Sequence, residues 1–233
     1  MKLEIAKRIR TSPIYSSAMW AHDLQVWVRA TRKGSFSQHG EDRFIRDFFT
    51  SRKTGVYLDI GASHPFKISN TYLLYRSGWK GVTVEPIPRL GALHRRWRPR
   101  DKLLPVGVGT TAGELEFFEM LPSVLSTLDA SVANEYIAQG KATLLKKYHI
   151  PVLTIDQVIR QTTEQGQVDF LSIDIEGLDA DVINSIDYSR FRPSLICVEI
   201  ISSETRETAA QIFDRAGYKI VNEIGCNLFV SPA

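Results

Sequence analysis

The chain has 233 residues, and a working domain size of about 150 residues makes that one full domain with an appendage. It is 43% apolar and 24% charged, which excludes a disordered chain, and no collagen-like or coiled-coil bias appears. The net charge of +3 hides an uneven distribution: residues 1–35 carry seven bases (Lys2, Lys7, Arg8, Arg10, Arg29, Arg32, Lys33) against Glu4 and Asp23, and residues 89–102 carry six against Asp101. The remainder is acidic by difference, which disfavours a general nucleic-acid binder with a uniform basic coat.

Cys197 and Cys226 are far apart with no CxxC spacing, so neither a metal knuckle nor a disulfide framework is indicated. Two thiols and no run of 18 apolar residues predict a cytoplasmic protein. Residues 1–35 have scattered apolar positions and read as a basic helical arm, with Gly34-Ser35 as a hinge to a main domain over 36–233. The arm's charge and its Trp20 and Trp27 offer three roles: a peripheral contact to an anionic membrane, a cover for a ligand site, or a homodimer surface.

From Phe36 onward strands and helices alternate. Glu41 to Phe49 places Phe44, Ile45, Phe48 and Phe49 on one helical face. Val56 to Ile60 reads as a buried strand ended by Gly61. Ser69 looks like an N-cap for a helix over Asn70 to Ser77, closed by Gly78. Gly81 to Glu85 is a second strand, stopped by Pro86. Leu90, Leu93 and Trp97 then form a helical stripe that leaves Arg95 and Arg96 off it. Leu103 to Val108 is predicted as a third strand, Leu115 to Glu119 as a short alternating one, and Glu135 to Tyr148 as a helix. Val152 to Ile155 leads into a helix through Ile159. Val168 to Asp174 is a strand backed by a helix with Leu178, Val182, Ile183 and Ile186. Leu195 to Ile201 is another, followed by a helix lined by Ala209, Ile212, Phe213 and Ala216. Tyr218 to Ile224 and Asn227 to Val230 pair through Gly225. The pattern predicts an α/β fold with a mostly parallel sheet and an antiparallel pair at one edge.

Ligands of open α/β sheets lie at the carboxyl ends of the strands. Gly61 and Ala62 leave room there for a ligand to approach the backbone, and Asp59 is a carboxylate at the strand tip. Glu85 ends the second strand, where a carboxylate can accept from ribose hydroxyls. Gly61 stands alone, with Ser63 where a dinucleotide fingerprint would need a second glycine. A cofactor with a ribose and no phosphates therefore fits better than a pyrophosphate. The helix starting near Ser69, Asn70 and Thr71 offers N–H groups to a carboxylate.

Five segments occur in order: Phe36-Ser37-Gln38-His39-Gly40-Glu41-Asp42, Tyr57-Leu58-Asp59-Ile60-Gly61-Ala62, Ser69-Asn70-Thr71-Tyr72, Gly78-Trp79-Lys80-Gly81 with Val84-Glu85-Pro86, and Ser172-Ile173-Asp174-Ile175-Glu176-Gly177. Together they resemble the FkbM family of S-adenosylmethionine-dependent methyltransferases over about residues 36–200. The resemblance implies a Rossmann-like class I methyltransferase with a seven-stranded sheet and helices on both faces. It also implies O-methylation, often of a sugar or glycosylated natural product. Asp59, Gly61, Ala62 and Ser63 would form the cofactor loop, Glu85 with Pro86 the ribose site, and Asn70 and Thr71 the surroundings of the methionyl end. Val106 would flank the adenine.

Asp174 and Glu176 are the leading catalytic candidates, placed on one side by alternation if the strand continues. Such carboxylates can position an acceptor hydroxyl and take its proton, Asp174 also bordering the cofactor. They could instead share a divalent cation; no metal is assigned. His64 and Glu199 are further candidates, for the acceptor hydroxyl and the acceptor wall, and Arg95 and Arg96 could grip a phosphate on the acceptor. Two other readings stay open. One is a binding module on the same fold, held at a membrane by the basic arm. The other is a nicotinamide-dependent oxidoreductase, which the missing glycines disfavour.

Overall fold

The computed structural model describes residues 13–162 and 167–233, so the expectations for residues 1–12 lie outside the described residues. The chain begins with α1 (Pro13–Lys33), α2 (Glu41–Phe48), β1 (Val56–Ile60), α3 (Tyr72–Arg76), β2 (Lys80–Val84) and α4 (Pro88–Trp97). β3 (Lys102–Leu104), β4 (Gly107–Gly109) and β5 (Gly113–Leu121) follow, then a 3-10 turn at Ser123–Leu125 and α5 (Ala130–Ala138). The second half is β6 (Thr143–Thr154), α6 (Ile155–Thr162), β7 (Phe170–Ile173), α7 (Asp179–Asn184), β8 (Leu195–Glu199), α8 (Ser203–Arg215), β9 (Tyr218–Ile224) and β10 (Asn227–Pro232). Among the described residues no helix is long and apolar enough to cross a membrane.

Seven strands form one sheet in the order β3-β2-β1-β7-β8-β10-β9. The first five are parallel, and β10 runs antiparallel to both β8 and β9. The chain works outward from β1 to β3, then returns to β7 on the other flank of β1. The tips of β1 and β7 therefore flank the point where strand order reverses, the usual ligand position in such sheets.

Alternation along the buried strands sends residues to two different cores. Leu58, Ile60, Leu171, Ile173, Ile196 and Val198 face an aliphatic layer that includes Val158, Val182, Ile183 and Phe213. Tyr57, Phe170, Leu195 and Cys197 face an aromatic layer of Phe36, Phe49, Phe66, Tyr72 and Trp79. The α1 helix packs on this second layer. Trp27 Nε1 donates to the Tyr72 hydroxyl at 3.0 Å, and the Arg76 guanidinium lies 5.5 Å from the Trp27 ring.

Two predicted elements differ from the structure. The single strand expected over Leu103 to Val108 breaks at Pro105, which has no N–H for a ladder. Its first part, β3, joins the main sheet, whereas β4 joins a second sheet of order β4-β6-β5. The helix expected over Glu135 to Tyr148 ends at Ala138, and after Gly140 (φ 67°) the chain enters the 12-residue strand β6. β6 pairs antiparallel with β5 and is interrupted by a bulge at Glu119/Met120, which breaks the two-residue rhythm by which a strand is recognised. The α3 helix starts two residues late, at Tyr72, whose N–H is accepted by Ser69 Oγ at 3.1 Å.

Asp59 shares the aromatic side of β1 with Tyr57, and there it meets Arg98, just beyond α4. Arg98 is fully buried and donates to Asp101 at 2.7 Å and to Thr71 Oγ1 at 2.9 Å. It lies 3.6 Å from Asp59 Oδ2, and its guanidinium is 5.2 Å from the Tyr57 ring. Thr71 Oγ1 donates in turn to Asp59. Removing this cation leaves two buried carboxylates uncompensated. Arg98→Met is therefore expected to cost about 3–5 kcal/mol in urea unfolding. Arg98→Lys should recover little, because one ammonium cannot span these partners.

Candidate active site

Gly61 ends β1 with φ 78°. Its N–H and that of Ala62 both donate to the Val84 carbonyl at 3.1 Å, while the Asp174 N–H donates to the Ile60 carbonyl at 3.0 Å. A Cβ on Gly61 would lie 1.7 Å from the Asp174 carbonyl oxygen, so no side chain fits there. The following loop holds Ser63 (φ 46°) and Ile68 (φ 54°) in the left-handed region, at a cost on the order of 1–3 kcal/mol each. Its backbone is held by His94 Nε2 against the Ser63 carbonyl (3.0 Å) and by Arg98 donating to the Pro65 carbonyl (3.5 Å).

A cavity of about 330 Å³ opens over these strand tips. One wall is Gly61, Ser63 and Ile68; another is Glu85, Pro86 and Ile87; a third is Val106, Gly107 and Val108. Asp174, Ile175 and Glu176 after β7, Glu199 at the end of β8 and Cys226 between β9 and β10 form the opposite side, with Gln38 also in the lining. The remaining wall is Phe117 and residues 123–128, carried by β5 and the chain just after it. No lysine, arginine or histidine lines the cavity among the described residues.

Glu85 is 4% exposed, and its Oε1 accepts from the Ile87 N–H at 2.6 Å. Burial pushes its carboxyl up to about 8 against the opposing pull of the Ile87 and Ser63 amides. Across the cavity, ligand-type oxygens of Asp174, Glu176 and Glu199 lie within 4.8 Å of one another. β7 has ended by then. Glu176 turns into the cavity through a left-handed residue (φ 56°) followed by Gly177 (φ 110°), rather than by the strand alternation expected. Tyr136 donates to Glu176 Oε2 at 2.5 Å, and Thr127 Oγ1 to the Glu176 carbonyl at 2.7 Å. Asp179 accepts from the Ile175 and Gly177 amides at 3.1 and 3.2 Å and so fixes this turn.

Burial and then the nearby Glu199 carboxylate push Asp174 well above the usual carboxylate range. The same two causes, in the same order, raise Glu176 to about 8 and Asp179 to about 7. Cys226 Sγ donates to Glu199 Oε1 at 3.4 Å, and Glu199 Oε2 is buried with no protein partner. Glu176 and Asp179 can exchange protons near neutral pH, and the carboxylates of Asp174, Glu176 and Glu199 are close enough to share one divalent cation.

Of the residues singled out from sequence, Gly61, Ser63, Glu85, Pro86, Val106, Asp174, Glu176 and Glu199 line the cavity. Asp59, Ala62, Asn70 and Thr71 stand behind it. Asp59 and Thr71 belong to the Arg98 cluster, and Asn70 Nδ2 reaches Ser172 Oγ (3.4 Å) and Cys197 Sγ (3.7 Å). His64 is outside the lining, with its ring turned to α1, 3.6 Å from Asp23 Oδ2. Arg95 and Arg96 lie on the exposed side of α4, away from the cavity; it is Arg98 of that run that turns inward. Tyr136, Thr127 and Asp179 were not singled out as site residues. Thr127 lies where the second sheet was missed, Tyr136 is on α5 within the stretch expected to be helical, and Asp179 reads in sequence as an ordinary first-turn acid.

The methyltransferase FkbM domain family model matches residues 59–220. Comparison with curated proteins finds no match. Among solved structures, the chain is similar to a TehB-like SAM-dependent methyltransferase from Corynebacterium glutamicum, with 12% identity over 92% of this chain and 97% of that one and a TM-score of 0.44. It is likewise similar to a methyltransferase from Geobacter sulfurreducens, at 10% identity over 89% of this chain and 86% of that one and a TM-score of 0.48. A third is the 1,6-didemethyltoxoflavin-N1-methyltransferase of Burkholderia thailandensis, solved with 1,6-didemethyltoxoflavin and S-adenosylhomocysteine. It is 13% identical over 95% of this chain and 89% of that one, with a TM-score of 0.41.

The raised acids carry a pH signature. A carboxyl whose folded-state pKa is raised holds its proton in the folded protein after the unfolded chain has lost it, so stability falls as pH rises across that window. For Glu85 the window runs from the ordinary 4.5 to about 8. Glu85→Gln should therefore gain melting temperature relative to the parent as pH is raised from 4.5 to 8, and a pH-independent difference would contradict the burial of an ionisable group there.

Proposed function

The chain belongs to the FkbM methyltransferase family, and from that premise we propose that it transfers a methyl group from S-adenosylmethionine to a hydroxyl of a neutral sugar or glycan. The observation that carries this reading is the cavity's charge: four carboxylates, no cationic side chain in the lining among the described residues. An acid-lined cavity suits a positively charged methyl donor with a ribose diol. It offers no cation to a phosphate or carboxylate on the acceptor, which argues against a nucleotide-sugar acceptor gripped through Arg95 and Arg96.

The residues divide the work. Glu85, fixed by the Ile87 amide, keeps acceptor capacity for ribose hydroxyls. Gly61 and Ser63 let a ligand lie close against the backbone, with Pro86 and Val106 as apolar flanks. S-adenosylmethionine, when bound, supplies a methyl group on a sulfonium centre. Asp174 and Glu176 orient the acceptor hydroxyl and take its proton as the new C–O bond forms; positive charge beside them favours their ionised forms and readies them as bases. Glu199 extends the polar wall toward the acceptor.

Calorimetry with S-adenosylhomocysteine tests the donor half: the parent should bind, and Glu85→Ala should weaken binding about tenfold, about 1.4 kcal/mol. Mass spectrometry of a glycan extract incubated with isotopically labelled S-adenosylmethionine tests the acceptor half. Asp174→Asn should keep S-adenosylhomocysteine binding while lowering turnover by on the order of 10²–10⁴. Absence of binding by the parent overturns the donor reading, and normal turnover by Asp174→Asn removes that carboxylate from the proton transfer.

A further inference from the structure

We infer that Asp23, on α1, is a positioning residue for the methyl-donor site, holding the loop between β1 and α3 in its binding shape through Lys67 and His64. The inference rests on the reading that the cavity takes the donor. It assigns a role to the N-terminal helix, whose charge and tryptophans had suggested a membrane contact, a cover or a dimer surface.

Asp23 is 3% exposed, between the exposed His22 and Leu24 of the same helix. Lys67 Nζ donates to Asp23 Oδ1 at 2.5 Å, and His64 Nε2 lies 3.6 Å from Asp23 Oδ2. His64 Nδ1 accepts from the Phe66 and Lys67 N–H groups at 3.4 and 3.3 Å, which places the ring proton on Nε2, toward the carboxylate. Burial lowers the His64 pKa to about 4, so the ring is neutral at pH 7 and Lys67 is the cation of the pair. A buried aspartate thus holds the loop through a charge-assisted hydrogen bond to Lys67 and sits beside an imidazole, without a hydrogen bond to its Nε2, that gathers two of the loop's own amides.

The loop needs such an anchor. Ser63 and Ile68, the residues at either side of this contact, both line the cavity and both sit at positive φ. For a β-branched residue such as Ile68 that conformation persists only where its surroundings impose it. The inner side of the loop is fixed by His94, Arg98 and the buried ring of Phe66. The Ser69 N–H donates to the Phe36 carbonyl at 3.0 Å. Between those points, Asp23 is the carboxylate that pairs with Lys67 from outside the loop. Releasing it frees Phe66 to Ile68 to relax toward ordinary backbone angles and moves a cavity wall.

Hydrogen exchange on the free protein, together with calorimetry using S-adenosylhomocysteine, tests this. Asp23→Asn should raise exchange at the Phe66, Lys67 and Ser69 amides and weaken binding about tenfold. Lys67→Met should do the same from the loop side. Trp27→Phe loosens the same helix through Tyr72 without touching the loop and should stay within twofold of the parent. With S-adenosylmethionine as substrate the loss should fall on KM rather than kcat, a split that general destabilisation would not produce. Binding within twofold of the parent for both Asp23→Asn and Lys67→Met overturns the inference, as does an equal loss in Trp27→Phe. A parent that fails to bind S-adenosylhomocysteine overturns the donor reading itself, and this inference with it.

Discussion

The site depends on one close approach of backbone to backbone. Gly61 crosses the Asp174 carbonyl where the strand order reverses, so closely that a Cβ would lie 1.7 Å from that oxygen. The adjacent hydrogen bonds, from Gly61 and Ala62 to Val84 and from Asp174 to Ile60, lock the tips of β1, β2 and β7 together. With those tips in contact, Glu85, Asp174 and Glu176 must share one cavity. Sequence neighbours could not achieve this: the three come from two strands more than 80 residues apart. Parallel pairing in register, and one residue without a side chain, bring them together.

The same crossing sorts the acids of the sheet into two groups. Asp59 points to the aromatic face, where Arg98 and Thr71 take it up and Asp101 shares the cation. Glu85, Asp174 and Glu176 point into the cavity, where amides, a tyrosine and one another are their neighbours. In the first group Arg98 and Thr71 offset part of the burial that raises Asp59. The second remains electrostatically uncompensated, and burial together with mutual repulsion raises those acids above the usual carboxylate range. A cationic ligand relieves exactly that imbalance, so the feature that costs folding stability at neutral pH is the one that favours binding.

How much of this was legible in the sequence follows from the range of the forces involved. Buried parallel strands are short apolar runs, and Val56 to Ile60, Gly81 to Glu85 and Val168 to Asp174 were read close to their observed bounds because their burial leaves no choice of residue. The acids at their tips were legible for the same reason, since a charge ending such a run has nowhere to go but a strand end. The second sheet was not, because β6 mixes Lys146, Lys147 and His149 with apolar residues and bulges at Leu145, opposite Glu119 and Met120. Nor did the sequence say which arginine of the 95–100 run turns inward. Arg98 is chosen by Asp59, Asp101 and Thr71, partners that the fold assembles from three separate stretches. Glu176 shows the same limit in miniature: the residue was legible and its route into the cavity, a left-handed turn tied by Asp179, was not.

The missed sheet also divides the cavity by origin. The walls that carry Gly61, Glu85 and Asp174 are strand tips of the main sheet, fixed by the core beneath them. The wall formed by Phe117 and residues 123–128 hangs from β5, on a three-stranded sheet whose Phe117, Ile150 and Val152 pack against Ile87 and Leu90 beside the main sheet. Beside that packing, Tyr136 and Thr127 reach across from this side, both ending on Glu176. A residue of that wall, Thr127, and a tyrosine behind it are thereby both coupled to Glu176, the carboxylate at which the two sheets meet in the cavity.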